Sequence, residues 1–375
     1  MKDKQLRDSN YELLRIISMI FIITWHVIQH GQVVEHTTGL ANMIFNMTMF
    51  FVIVHVNCFM LITGYYQSKS KFRLNKFISY ILQIWFYNIA ITSILSITGL
   101  IKINFCDYII NTAFFNLKSY WYIRCFLIVY ILSPLLNIFI EKTDRKELKK
   151  LILIMLFCFS ILPFFTGNLF YEETGYTVIQ HILMYFVGAY IRKYGISIKV
   201  LNEYNDTQKK VVYILMFIFF WLINVMLYYF GMHLGQIDSN LCKFISGRIN
   251  MYRYLYNSPI VIIQSLSIFL LFGKLKIKNK FINKLSSVTL GIYLIHENDY
   301  IKYNLYRWIG IYTGNVIYGN KIIIEVLLWI IIIFIGCAII EACRKLLFFI
   351  ISNIKFIKKI SEKFQDFINE ICEIH

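Results

Sequence analysis

Apolar residues run through this chain in ten long stretches, at about 11–31, 42–65, 77–101, 120–140, 150–166, 177–192, 211–231, 258–273, 286–306 and 321–343. Each is long enough to predict a membrane-crossing helix. The ninth is the one most interrupted by polar groups. The segments between them alternate in charge. Of the 38 Lys and Arg residues, 28 lie at the N-terminus, in every second loop and in the C-terminal tail. Seven lie in the other loops, and Arg15, Arg124 and Lys302 fall inside the runs. Cytoplasmic loops are the ones that concentrate Lys and Arg, so this bias predicts an even number of spans with both termini in the cytoplasm. The expected fold is all-α: a polytopic helical membrane protein of about ten transmembrane helices. Residues 1–343 form the transmembrane domain. Residues 344–375 alternate apolar and charged positions at helical spacing, which predicts an amphipathic tail on the inner surface or the frayed end of the last span.

Composition agrees. The chain is 58% hydrophobic and 18% aromatic, with mean hydropathy +0.60. In a soluble protein a net charge of +17 would suggest nucleic acid. Here the charge is distributed by membrane topology, and no nucleic-acid partner is expected; the partner is the bilayer. The eight cysteines form no C-x-x-C pair and mostly sit inside apolar runs, so they read as small hydrophobes. The first run is too long for a cleavable signal, contains Arg15 and is followed by no small-residue cleavage site. Heavy use of Ile, Lys and Asn points to an AT-rich bacterial genome. Monomer and homo-oligomer are both left open.

The first run carries the candidate chemistry. Arg15 and His26 are eleven residues apart. At about 100° per residue that is close to three turns, so both project from one face, roughly 16 Å apart along the axis. Glu12, Ser18 and Gln29 extend this face into a polar stripe. A charge inside an apolar span points to a bundle interior or a cavity. The competing reading is a buried Glu12–Arg15 ion pair with a hydrogen-bonded core histidine. His26 and His30 have a spacing that can bind zinc. Neither a carboxylate between them nor a third ligand is evident, so no metal is expected, and His30 is expected to face outer-side water. There is no G-x-S-x-G, no Walker loop and no G-x-G-x-x-G. What remains is a histidine able to act as a base and an arginine able to hold an anion.

Residue patterns along most of the chain resemble the membrane-bound acyltransferase 3 family, the O-acyltransferases of surface polysaccharides. Arg15 and His26 fit its R-x10-H signature within ELLRIISMIFIITWH. FMLITGYY at 59–66, the basic loop SKSKFRLNKF, SYWYIRCFLIVYILSPLLN at 119–137, MYFVGAYIRKY at 184–194 and GIYLIHEN at 291–298 follow in the family's order. The resemblance implies acyl-CoA, usually acetyl-CoA, as the cytoplasmic donor. It implies a hydroxyl of a polysaccharide or a lipid-linked sugar as the acceptor, on the outer side. It makes His26 the expected catalytic histidine and Arg15 the expected essential arginine. The basic loop is mostly lysine here, with Arg73 its only arginine. Lysine lacks the bidentate fork, so CoA binding through this loop departs from the family pattern. No carboxylate partner for His26 is assigned.

Tyr293 and His296 are read as lining the acceptor side or as interhelical hydrogen-bonding groups. Trp121 and Tyr122 are acceptor contacts or an interfacial aromatic belt, and Arg124 either snorkels or binds an anionic sugar. Gly64 and Gly188 are expected close-packing sites. The rival class is a polysaccharide flippase, exporter or polymerase without acyl transfer. Flippases usually show two similar halves, and no internal repeat is visible. Dependence on acyl-CoA separates the two.

Overall fold

The structure is a computed structural model that describes residues 8–113, 120–166, 175–196, 199–252, 254–302, 304–311 and 321–352. Among these it is helical, with no β-strand. In chain order come α1 (Asn10–His30), α2 (Gly39–Val52), α3 (His55–Gln67), α4 (Leu74–Ile97), α5 (Phe105–Ala113), α6 (Trp121–Lys142) and α7 (Arg145–Leu156). A π turn, Phe157–Ile161, joins α7 to α8 (Leu162–Thr166). Then follow α9 (Val178–Tyr194), α10 (Lys199–Asn202), α11 (Asp206–Gln236), α12 (Asn240–Tyr252) and α13 (Pro259–Gly273). The last are α14 (Lys280–Ser286), α15 (Thr289–His296), α16 (Asp299–Lys302), α17 (Leu305–Trp308) and α18 (Lys321–Ser352).

Seven helical stretches among the described residues are long and apolar enough to cross a membrane: α1, α2 with α3, α4, α6, α7 with α8, α11 and α18. Three of the ten expected spans look different. The sixth and eighth are α9 and α13, with only 17 and 15 residues. The ninth, expected as one run over 286–306, is broken into α15, α16 and the start of α17. Its polar residues are the reason. They take over backbone groups that a continuous helix would use for itself. Thr289 Oγ1 donates to the Ser286 carbonyl at 2.8 Å, and Asn298 Oδ1 accepts the Tyr300 N–H at 3.1 Å.

α1 is the central helix, packed against α2, α3, α13, α14, α15 and α18. Its N-terminal end is tied down by side chains. The Ser9 N–H donates to the Ile277 carbonyl, Asn10 Nδ2 to the Phe272 carbonyl, and Ser286 Oγ to Glu12 Oε2. By contrast α11 and α18 expose rows such as Phe219 and Met226, or Ile324, Ile331 and Ile335. An exposed apolar face of that kind suits hydrocarbon.

Local breaks are compensated. α2 and α3 part at Ile53–Val54, where His55 Nδ1 takes the Val52 carbonyl at 2.6 Å and Nε2 meets the Tyr256 hydroxyl at 3.1 Å. Pro134 inside α6 has no N–H for the Tyr130 carbonyl, and Ser133 Oγ donates to it instead at 2.7 Å. The expected outer connection 232–257 contains α12, packed along α11, and then carries Tyr256 into the bundle. There the Tyr256 carbonyl accepts from Asn57 and Gln180. α18 runs unbroken to Ser352, past the expected boundary at 343, and the rest of the tail lies outside the described residues. The seven described cysteines are free thiols.

Helices α3 and α9 approach through two glycines. A Cβ on Gly64 would collide with the Tyr185 backbone, and one on Gly188 with the Leu61 carbonyl. This is the close packing expected of small residues in membrane bundles. Gly188→Val is expected to lower the thermal unfolding midpoint in detergent, at a cost of about 1–3 kcal/mol from overpacking. Gly336→Val is the control: nothing lies within 4 Å of a Cβ there, and an unchanged midpoint is expected.

Candidate active site

Between α1, α3, α4, α6, α14, α15 and α18 lies a cavity of about 420 Å³. It begins at Glu12 and Arg15 in the first turns of α1 and runs along Met19 and Ile22 to Tyr122 and Tyr293. Glu12 is buried, and it is held by Arg15 Nη1 at 3.1 Å and by Ser286 Oγ at 2.5 Å. Arg15 is therefore oriented by its neighbour one turn below, while its side chain keeps 27% exposure toward the cavity.

One turn beyond the closed end sits a buried polar cluster. His26 Nδ1 lies 3.1 Å from His296 Nε2 and 3.1 Å from Glu297 Oε2. His30 Nε2 is 3.6 Å from the same carboxylate oxygen. Lys302 Nζ is 3.5 Å from Glu297 Oε1 and 2.9 Å from Asp299 Oδ1. The break after α15 makes this possible. α15 ends at His296, Glu297 follows as its cap, and α16 brings Lys302 back over the carboxylate.

The network assigns the protons. His296 Nδ1 lies 2.6 Å from the Ile292 carbonyl, which can only accept, so this nitrogen carries the hydrogen. His296 Nε2 is then the acceptor, and His26 Nδ1 is its donor. In a neutral imidazole that leaves His26 Nε2 without a proton. The hydrogen bond that His26 makes among the described residues runs through Nδ1. The His26 ring thus presents a basic nitrogen, with Nδ1–H donated to a second histidine and a carboxylate oxygen 3.1 Å from Nδ1.

Sequence-predicted residues fall into three groups. Arg15, Tyr122 and Tyr293 share the cavity wall. His26 and His296 meet in the cluster beyond it, although they are 270 residues apart in the chain. The cavity does not reach His26 itself; it stops at Ile22 and Tyr293. The buried Tyr293 hydroxyl donates to no acceptor among the described residues. Trp121 stands apart. It stacks on Tyr256 at 5.5 Å and meets Tyr176 and His181, as part of an aromatic cluster. The side chains of Arg124 and Arg73 are exposed and lie outside the cavity wall. Arg73 engages Tyr130 through its backbone, at 3.3–3.4 Å. His30 turns to Glu297 instead of facing only outer water. At that depth the carboxylate offers a stronger partner than water.

Sequence reasoning missed Glu297 as the partner of His26. Adjacency to His296 in LIHEN was the signal available, but only the fold brings α15 against α1. It also missed Tyr120, fully buried, whose hydroxyl donates to the Leu294 carbonyl at 2.9 Å and accepts from Asn298. That residue pins the start of α6 to the end of α15.

Ligand atoms of His26, His296 and Glu297 lie within 4.8 Å of one another, a spacing that can hold a metal ion. The third ligand that the sequence did not display is thus supplied by the fold. One hydrogen bond already joins the two imidazoles, and Lys302 places a cation 3.5 Å from the other carboxylate oxygen.

A family model described as an acyltransferase domain, acyltransferase 3, matches residues 8–342. The chain belongs to the acyltransferase 3 family. No curated protein and no solved structure matches it. The family match spans α1 to most of α18, so the Arg15 cavity and the His26 cluster of this membrane acyltransferase both lie inside the acyltransferase domain.

The proton assignment has a direct check. Selective ¹⁵N labelling of His26 is expected to show a protonated Nδ1 and a bare Nε2 at neutral pH. In His296→Ala the acceptor for Nδ1–H is gone, and a shift toward the Nε2–H form is expected. A wild-type ring protonated on Nε2 alone would contradict the network.

Proposed function

We propose that this acyltransferase moves an acyl group, expected to be acetyl, from cytoplasmic acyl-CoA to a hydroxyl of a cell-surface or secreted polysaccharide or its lipid-linked precursor. The observation that carries the reading is the alignment within one family domain of an arginine-bearing cavity and a histidine–carboxylate cluster. The cavity opens beside Arg15 and ends one turn short of His26.

In this reading the cell membrane contains ten crossings. Counting α9, α13 and the broken α15–α17 segment with the seven long stretches brings the number from seven to ten. Seven would put the termini on opposite sides; ten puts both on the Lys- and Arg-rich side, as the loop charges require. The cavity mouth at Arg15 then faces the cytoplasm, where an anionic CoA headgroup belongs. The thin pantetheine arm runs along α1 toward Tyr293, and the acceptor enters from the outer side.

His26 Nε2 takes the proton from the acceptor hydroxyl as its oxygen attacks the thioester carbonyl carbon. The tetrahedral oxyanion has a candidate donor in the Tyr293 hydroxyl, which has a hydrogen to give. When the C–S bond breaks, the sulfur leaves with the proton from Nε2, giving free CoA and the ester. His296 Nε2 accepts the His26 Nδ1–H throughout, and the Glu297 carboxylate 3.1 Å away favours the imidazolium that forms in between. An acyl group carried on His26 is the rival route, and trapping labelled acyl on His26 without acceptor would establish it.

The test is release of free CoA from acetyl-CoA by the purified protein in liposomes. His26→Ala and Arg15→Ala are each expected to lower the rate by about 10²–10⁴-fold, and Glu297→Gln by about a hundredfold. No release and no acetyl-CoA binding by a folded protein would overturn the reading and favour a flippase or polymerase.

A further inference from the structure

The wall of the cavity at Arg15 is basic. Its wall holds three cations, Arg15, Lys76 and Lys345, against one carboxylate, Glu12. Glu12 is already engaged by Arg15 and Ser286. The next carboxylate, Glu341, lies 4.0 Å from Lys345 Nζ, but it is committed elsewhere. Arg344 grips it through two bonds of 2.7 and 2.8 Å, and Tyr87 and Gln83 add bonds of 2.5 and 3.2 Å. Glu341 is fully buried and seated in the space that a side chain on Gly291 would fill, so it is not free to swing toward Lys345.

Lys345 is held at the cavity wall from the other side. Its Nζ donates to the Ser287 carbonyl at 2.6 Å and meets Ser287 Oγ at 2.9 Å, which leaves one of three N–H groups for a ligand. Lys76 stands across the mouth, with its ammonium 5.7 Å from the Tyr80 ring centroid. A cavity whose wall carries three cations and one carboxylate attracts a multiply charged anion. Arg73, the loop residue that the family resemblance offered for this purpose, is exposed and lies outside the wall.

We propose that Lys345 on the last helix and Lys76 on α4 form the seat for the phosphates of the donor thioester, beside Arg15 at the cavity mouth. This rests on the acyl-CoA reading above. It adds the last helix to donor recognition and takes from the basic loop only its final lysine, Lys76, leaving Arg73 out.

The experiment compares two donors on wild type and variants in liposomes: acetyl-CoA, and S-acetylpantetheine, which carries the thioester arm without phosphates. Lys345→Gln is expected to raise KM for acetyl-CoA about tenfold, the loss of one charge-assisted hydrogen bond, with kcat kept. KM for S-acetylpantetheine should stay unchanged. Lys76→Gln should act in the same direction, and Lys345→Arg should restore the wild-type KM. An Arg73→Gln variant that alone produced the split would overturn the assignment. So would an equal rise for both donors, which is the result expected if a phospholipid headgroup phosphate occupies the seat. Wild-type turnover of both donors at the same KM would also defeat the phosphate seat while leaving acyl transfer standing. Turnover of neither by the wild type would instead defeat the reading on which the seat rests.

Discussion

A carboxylate deep in an apolar helical bundle has to be surrounded by donors and cations, because its unpaired burial costs several kcal/mol. Glu297 is that group here. His26 and His30 come to it from α1 and Lys302 from α16, within 3.1–3.6 Å. These partners cannot converge if residues 286–306 form one straight helix. The chain breaks after His296, and the polar side chains around the break satisfy the backbone groups that it releases. The irregular ninth segment is thus a consequence of where the charge sits.

The same constraint operates at the other end of α1. Glu12 is buried against Arg15 and Ser286, and Glu341 against Arg344, Tyr87 and Gln83. Three buried carboxylates therefore tie α1, α14, α15, α4 and α18 together through hydrogen bonds and ion pairs. In a membrane there is little hydrophobic force to hold helices to one another, so such bonds and close glycine contacts set the geometry. Gly64 with Gly188 does this for α3 and α9, and Gly291 lets α15 lie directly on Glu341.

These ties leave one cavity bordered by α1 on the arginine side and closed by Tyr293 near the histidines. The chemistry that the site can perform follows from which atoms are left over. His296 is committed to the Ile292 carbonyl and His26 Nδ1 to the cluster, so the free lone pair is on His26 Nε2. The Tyr293 hydroxyl keeps a hydrogen to donate. Neither property belongs to a single residue; both come from the network.

The sequence by itself determined the helical class, the membrane environment, the family and the special standing of Arg15 and His26. Those are local or periodic properties: apolar run length, charge alternation between runs, and an eleven-residue spacing on one helix. The two packing glycines were legible for the same reason, since each sits inside an apolar run. Only the tertiary structure decided that Glu297 is the partner of His26, that His30 turns inward, and that Arg73 and Arg124 stay outside the cavity while Lys76 and Lys345 line it. These are contacts between segments as much as 270 residues apart, and a periodic pattern carries no information on which faces of distant helices meet. The ninth span was misjudged because hydropathy measures the cost of exposing side chains. It does not register polar side chains that end a helix by binding its backbone.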